Sequence, residues 1–283
     1  MAVAAACEIG DGVELLDETL IRAQLQPLHA RRLHSFDVPQ QVDSTNTRLL
    51  SGPPPPFGCA DVCIAETQVA GRGRHGRSWI APPRSSITMS VGWAFRDAGR
   101  DLPALSLAVG VAVAHALVRA GARGVMLKWP NDIWFDGRKI GGILLELRTE
   151  ADARSFVVIG IGINVTLSAE ARRALDAGGV RGAALVDACA DRPSRNGVAG
   201  AILDELLGML LQFEREGFAP FLAPWTMLDA LRGRASRVAR GDSFIVGLAR
   251  GVDGDGSLLL EVDGQMRKFK SGEVSLRLED DAA

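Results

Sequence analysis

Ala65 to Pro83 reads AETQVAGRGRHGRSWIAPP. Three glycines (Gly71, Gly73, Gly76) alternate with three arginines (Arg72, Arg74, Arg77) around His75, directly after the strand-like run Ala60 to Thr67. Glycine lets backbone N–H groups turn toward one point, and guanidinium groups bring fixed charge and forked donors to that same point. The natural occupant is a phosphate or carboxylate. By letter, Gly71, Gly73 and Gly76 satisfy G-x-G-x-x-G, and Gly71 to Ser78 satisfies G-x-x-x-x-G-K-[ST] with Arg77 in place of lysine. Both motifs need a helix to begin on the last glycine, because its N-terminus holds the phosphate. Here Trp79, Ile80 and Ala81 lead into Pro82-Pro83, and paired prolines disfavour helix. The stretch therefore excludes both nucleotide-binding folds and predicts a mobile, cationic, anion-binding loop.

Outward from this loop the chain is ordinary. It has 283 residues, 47% apolar and 23% charged, enough for one large domain and a small one. A net charge of −2 and a pI near 6.1 argue against a general nucleic-acid or membrane-surface binder, so the local positive charge favours a small anionic ligand. No apolar run approaches the ~20 residues of a membrane span. Met1 to Cys7 lacks the basic start of a signal peptide, which predicts a cytoplasmic protein. Cys7, Cys59, Cys63 and Cys189 lack zinc spacing and read as buried thiols in a reducing compartment.

Leu15 to Leu28 is an amphipathic helix candidate interrupted by Pro27. Residues 1–36 are too few for a helix-turn-helix domain of about sixty residues. Ser35 to Val42 is extended, and Asp43-Ser44-Thr45-Asn46 precedes an apolar pair as a helix N-cap does. The same hydroxyls and amide suit a neutral polar ligand, and both readings stay open. Gly52 to Pro56 is a surface connection, and Ser85 to Phe95 alternates as a strand. Leu102 to Ala120 is a long apolar helix ended by Gly121, with His115 as a core histidine. Asp136-Gly137 is a hairpin turn that brings Lys128 to Asp132 toward Gly141-Gly142, with Lys139 just past the turn. Two glycines in a strand require something to approach closely. Ser155 to Val165 carries Gly160 and Gly162 on one face, which suits a flat ligand or a closely packed neighbour. Val198 to Phe213 is an amphipathic helix, and Gly217 to Leu231 leads out of the main domain. Arg232 to Leu278 has short strands with turns at Gly241-Asp242, Gly251 to Gly256 and Gly272-Glu273, which predicts a small β-barrel of about fifty residues.

Together, Asp43 to Asn46, Gly71 to Arg77, Lys128 to Asp132, Lys139 before Gly141-Gly142, Gly160 to Asn164 and Ser271-Gly-Glu-Val-Ser275 resemble the biotin protein ligases over about residues 37 to 278. The resemblance implies an α/β (α+β) catalytic domain, a mixed sheet flanked by helices, over 37–231. It also implies an SH3-like domain over 232–283, after an N-terminal extension over 1–36. It implies an enzyme that makes biotinyl-5′-AMP from biotin and MgATP, with no permanent cofactor or metal site. Biotin then passes to one lysine of the biotin carboxyl carrier protein of acetyl-CoA carboxylase. DNA and membrane partners are not expected, and a homodimer is left open.

Carried over by motif, Ser44, Thr45, Asn46 and Gln68 resemble the groups around the ureido edge of biotin. Arg72, Gly73 and Arg74 are similar to the loop that closes over carboxylate and phosphate, and Lys139 to the lysine between those anions. Asp132 is the candidate for positioning the metal or the incoming amine. Asn131 and Asn164, with Arg72, are candidates for the nucleotide side. The chemistry suits these residue types: a carboxylate attacking an α-phosphate brings two anions together, and fixed cations oppose their repulsion. The familiar loop carries Arg or Gln where His75 stands, so His75 receives no role. A lipoate or octanoate ligase or transferase shares the catalytic fold and is the alternative; the arginine-glycine loop and the C-terminal domain speak against it.

Overall fold

The structure, a computed structural model, describes residues 14–96, 102–149, 155–177, 179–240, 243–271 and 275–278. Cys7, the Gly241-Asp242 turn and residues 272–274 of the C-terminal motif lie outside the described residues. The predicted Leu15 to Leu28 helix is two short ones, α1 (Glu18–Arg22) and α2 (Pro27–Ala30). The Asp17 carboxylate caps α1 by accepting from Leu20 N at 2.9 Å. Pro27 lacks the N–H that a continuing helix needs, yet fits the first position of a new one.

Next come β1 (Leu33–Asp37), β2 (Gln41–Val42), α3 (Thr45–Leu50), β3 (Ala60–Ala65), β4 (Thr67–Gln68) and β5 (Ser86–Phe95). Helix α4 (Leu105–Arg119) leads to β6 (Val125–Lys128), β7 (Asp132–Phe135), β8 (Arg138–Thr149) and β9 (Ser155–Asn164). Helices α5 (Ala169–Ala177), α6 (Arg195–Glu216) and α7 (Ala219–Leu228) follow, then β10 (Ala235–Arg240), β11 (Ser243–Val252), β12 (Leu258–Val262), β13 (Gln265–Phe269) and β14 (Ser275–Leu278). Among the described residues, the main sheet has seven strands in the order β1-β3-β5-β9-β8-β7-β6. It is mixed, because β1 pairs parallel to β3 while the other neighbours are antiparallel. The C-terminal strands form an antiparallel sheet in the order β13-β12-β11-β10-β14.

Every residue of β5 is buried, so the predicted alternation of polarity does not become an alternation of exposure. Its even-numbered side chains meet α3, as Ser90 does at Thr45. Its odd-numbered ones meet α6, where the Phe95 and Phe213 rings stand 6.2 Å apart. Helices thus cover both faces, and the strand can carry small polar side chains on one and large apolar ones on the other.

Leu102–Arg119 is long and apolar enough to cross a membrane, contrary to the expectation from the sequence, but most of it is buried within the fold. Its solvent edge is His115, Val118 and Arg119, spaced by three and four residues. His115 is therefore exposed and not a core histidine: even a helix buried on most sides keeps one strip facing water. Among the described cysteines, Cys63 alone is fully buried, and burial pushes its thiol up to about 12. Cys59 and Cys189 are only half-buried, at the edges of the packed layers, which corrects the expectation of buried thiols throughout.

Asp136 (φ 49°) and Gly137 (φ 70°) both take the left-handed conformation that a two-residue hairpin turn requires. The C-terminal sheet rests on the corner between β6 and β7: the Trp129 indole donates to Gly256 O at 3.1 Å, and Ala230 N donates to Leu127 O at 2.8 Å.

Candidate active site

Ser44 caps α3, its hydroxyl accepting from Thr47 N at 3.5 Å. Thr45 and Asn46 then turn toward the sheet, and all three are only 3% exposed. Gln68 Oε1 accepts from Thr45 N at 2.8 Å and from Thr45 Oγ1 at 3.1 Å. Ser90 Oγ lies 2.7 Å from Thr45 Oγ1 and 2.5 Å from Asn46 Oδ1, while Asn46 Nδ2 donates to Glu146 Oε2 at 2.8 Å. The two readings left open for this segment are thus compatible: Ser44 supplies the cap, and its neighbours build a buried polar cluster. A cluster with this many partners holds its donors and acceptors in fixed directions.

The same face of the sheet carries Gly160 and Gly162. A Cβ on Gly160 would stand 2.4 Å from Asn46 Oδ1, and one on Gly162 would stand 2.5 Å from the Trp79 ring. Bare backbone is what lets an amide and an indole lie flat on β9. Trp79 Nε1 is buried without a hydrogen-bond partner. Trp79 has a signal in the sequence only in hindsight of the fold: two bare glycines ask for a flat neighbour, and the loop contains one.

At the cationic end, the β7–β8 register slips. Asp132 pairs with Gly142 and Ile133 with Gly141, but Trp134 pairs with Lys139. This bulge turns Lys139 onto the face that holds Asp132 and Gly142; unbroken alternation would have pointed it away. Lys139 Nζ then reaches Asp132 Oδ1 at 2.5 Å and lies 5.9 Å from the centre of the Trp79 ring. The lysine's backbone is fixed as well, donating to Arg181 O at 2.8 Å and accepting from Ala183 N at 2.9 Å. Asn164 is buried and donates to Ala183 O at 3.3 Å, so it tethers the segment that holds Lys139.

The loop itself folds back on its root, Gly73 N donating to Arg77 O at 2.6 Å and Trp79 N to Gly71 O at 2.9 Å. Arg72 Nη2 meets Glu146 Oε2 at 2.6 Å, the carboxylate that also takes Asn46. Arg74 Nη1 donates to Asn131 Oδ1 at 3.2 Å, and its Nη2 donates to Ser271 O of the C-terminal domain. Burial lowers the basicity of the Arg74 guanidinium, and nearby Asp132 counters this. His75 and Arg77 stay exposed at the tip.

The predicted residues therefore gather into a polar group (Ser44, Thr45, Asn46, Gln68), which Arg72 joins through Glu146, and a charged group (Arg74, Asn131, Asp132, Lys139), with Trp79 against the glycine face near both. Gly73 serves through its backbone, and Asn164 stands behind the charged group. Ser90 and Glu146 complete the polar group; nothing in their sequence neighbourhood marked them, because each is one of several polar residues in its strand. Among the described residues, no three His, Cys, Asp or Glu side chains gather as a metal cage.

Residues 38–164 match the Biotin/lipoate A/B protein ligase family, and residues 233–277 match the Biotin protein ligase C terminal domain. The Biotin--[acetyl-CoA-carboxylase] ligase of Mycobacterium tuberculosis is 36% identical over 268 residues, covering 92% of this chain and 95% of that protein. The Bifunctional ligase/repressor BirA of Escherichia coli is 38% identical over 239 residues, covering 83% and 72%. Among solved structures, the biotin protein ligase from Aquifex aeolicus in complex with biotin and ATP superposes with a TM-score of 0.72 at 26% identity, covering 87% of this chain and 100% of that one. A chain that matches both domains and aligns along nearly the whole length of a curated ligase belongs to the biotin protein ligase family.

Proposed function

We propose that this enzyme activates biotin with ATP to biotinyl-5′-AMP in the cytoplasm. It then transfers biotin to one lysine of the biotin carboxyl carrier domain of acetyl-CoA carboxylase. The observation that carries this reading is the placement of a fixed polar cluster and a set of cations on one face of one sheet, with Trp79 against the glycines there. A bicyclic ring with a polar edge and an anionic tail needs both ends at once. The catalytic unit spans about residues 37–231, followed by the C-terminal unit over 232–283.

Ser44, Thr45, Asn46 and Gln68 pair with the ureido edge of biotin, and a site built on such hydrogen bonds rejects analogues that lack them. The biotin carboxylate attacks the α-phosphorus of ATP, the new P–O bond forms and pyrophosphate leaves. Lys139 lies between the two anions, while Arg72, Gly73 and Arg74 close over them. Asn131 and Asn164 serve the nucleotide side. Mg²⁺ binds through one or two carboxylates plus substrate phosphates, and Asp132 beside the charged group fits that sparse donor set. There the ion would neutralise phosphate charge. In the second step the carrier lysine attacks the acyl carbon, AMP leaves, and Asp132 orients the incoming amine. Pyrophosphate release on adding biotin, but not lipoate or octanoate, tests the reading. Release with lipoate or octanoate instead overturns it in favour of the related acyl ligases.

A further inference from the structure

The N-terminus of α6 holds a buried ion pair whose members belong to neither the polar nor the charged group. Arg195 and Glu66 side chains are 5% and 4% exposed, and Arg195 Nη2 reaches Glu66 Oε2 at 2.9 Å. The same nitrogen donates to Ser86 O at 2.9 Å, and Nη1 donates to Glu14 O at 2.8 Å. Glu66 Oε1 accepts from Leu16 N at 2.5 Å. Glu66 stands just before β4, and Ser86 opens β5. The glycine-arginine loop lies between them. Arg195 therefore grips both roots of the loop from a helix that takes no other part in it. Two residues beyond Glu66, Gln68 supports Thr45. On the exit side Ser85 O accepts from Val165 N and Thr166 N, each at 2.9 Å, next to Asn164.

A buried ion pair is weak evidence for a role in stability, because the cost of desolvating both charges offsets their attraction. Arg195 Nε is buried with no partner. The guanidinium is aimed through its two Nη groups at three acceptors, Glu66, Ser86 O and Glu14 O, while Nε–H is left without one. We propose that Arg195, with Glu66, is a positioning residue for the reaction. It sets the spacing of the loop's two roots, and so the closure of Arg72 and Arg74 over the adenylate and the placing of Gln68. This rests on the reading of the loop as the cover of biotinyl-5′-AMP.

The test is the double substitution Arg195→Met/Glu66→Gln in the full chain. It removes both charges at similar volume and leaves Leu16 N an acceptor, a replacement that folds often tolerate. The readouts are the escape rate of preformed biotinyl-5′-AMP and amide exchange of residues 69–85 without substrates. Both are expected to rise about tenfold, the scale of one lost charge-assisted hydrogen bond. Arg195→Lys, which keeps the charge but cannot reach all three acceptors, is expected to fall between, and it carries the test if the double variant does not fold. Leu207→Ala in the core of α6 is the control: it is expected to lower the melting temperature while escape and loop exchange stay at wild-type values. Wild-type escape and exchange in the folded double variant and in Arg195→Lys overturn the proposal, as does an equal rise in Leu207→Ala. Failure of the wild type to form adenylate overturns the enzymatic reading instead, and loop exchange still tests the grip.

Discussion

Replacing Gly160 with alanine adds one methyl group at the point where the sheet and the polar cluster touch. That carbon would stand 2.4 Å from Asn46 Oδ1, 3.0 Å from Cγ and 3.1 Å from Nδ2, whereas ordinary contact begins near 3.4 Å. Asn46 must therefore move by about 1 Å. It cannot swing freely, because Ser90 lies 2.5 Å from its oxygen and Glu146 accepts from its nitrogen at 2.8 Å. Overpacking of this kind costs about 1–3 kcal/mol of stability. A displacement of ~1 Å in a positioning group costs up to ~100-fold in rate. We expect Gly160→Ala to fold, to melt several degrees lower, and to bind biotin at least tenfold more weakly by calorimetry. Pyrophosphate release should fall further than binding alone accounts for. Gly254→Ala, which has nothing within 4 Å of the added carbon, is the matched control and should match the wild type in all three measurements. A folded Gly160→Ala enzyme with wild-type biotin affinity and turnover would show that Asn46 takes no part in holding the ring.

Lys139→Ala should slow pyrophosphate release by about 10²–10³-fold, the usual scale for a lost charge stabiliser, and wild-type turnover would remove Lys139 from the mechanism. Arg74→Gly cuts the contacts to Asn131 and Ser271 and should release biotinyl-5′-AMP. Its measure is biotin on bystander lysines, and labelling confined to the carrier domain would refute the role. Asp229 is 9% exposed, and burial pushes its carboxyl up to about 6 from 3.8 despite a hydrogen bond from Leu231 N. Between those values the folded state holds more protons than the unfolded one, so this group's contribution to stability falls as pH rises from about 4 to 6. The size is on the order of 2–3 kcal/mol. Asp229→Asn should erase that part of the pH profile and raise the melting temperature at pH 7. An unchanged difference between variant and wild type across the window would refute it.

The arginine-glycine stretch, the Asp136-Gly137 turn and the paired glycines of β9 were legible in the chain, because each depends on local backbone geometry or on the absence of a side chain. Those features marked the residues around an anion, and the resemblance they help to carry implied the α/β ligase fold. What the linear chain could not reveal was the direction of Lys139, since a one-residue slip against β7 chooses the face and only cross-strand pairing sets that slip. Glu146 and Ser90 were equally silent, their importance coming from what stands opposite them. His115 was misplaced for a related reason: hydrophobic periodicity marks the buried stripe of a helix, but neighbouring helices decide how wide that stripe is. Local chemistry is written along the backbone, whereas the meeting of residues far apart in the chain is set by how sheets register and layers pack.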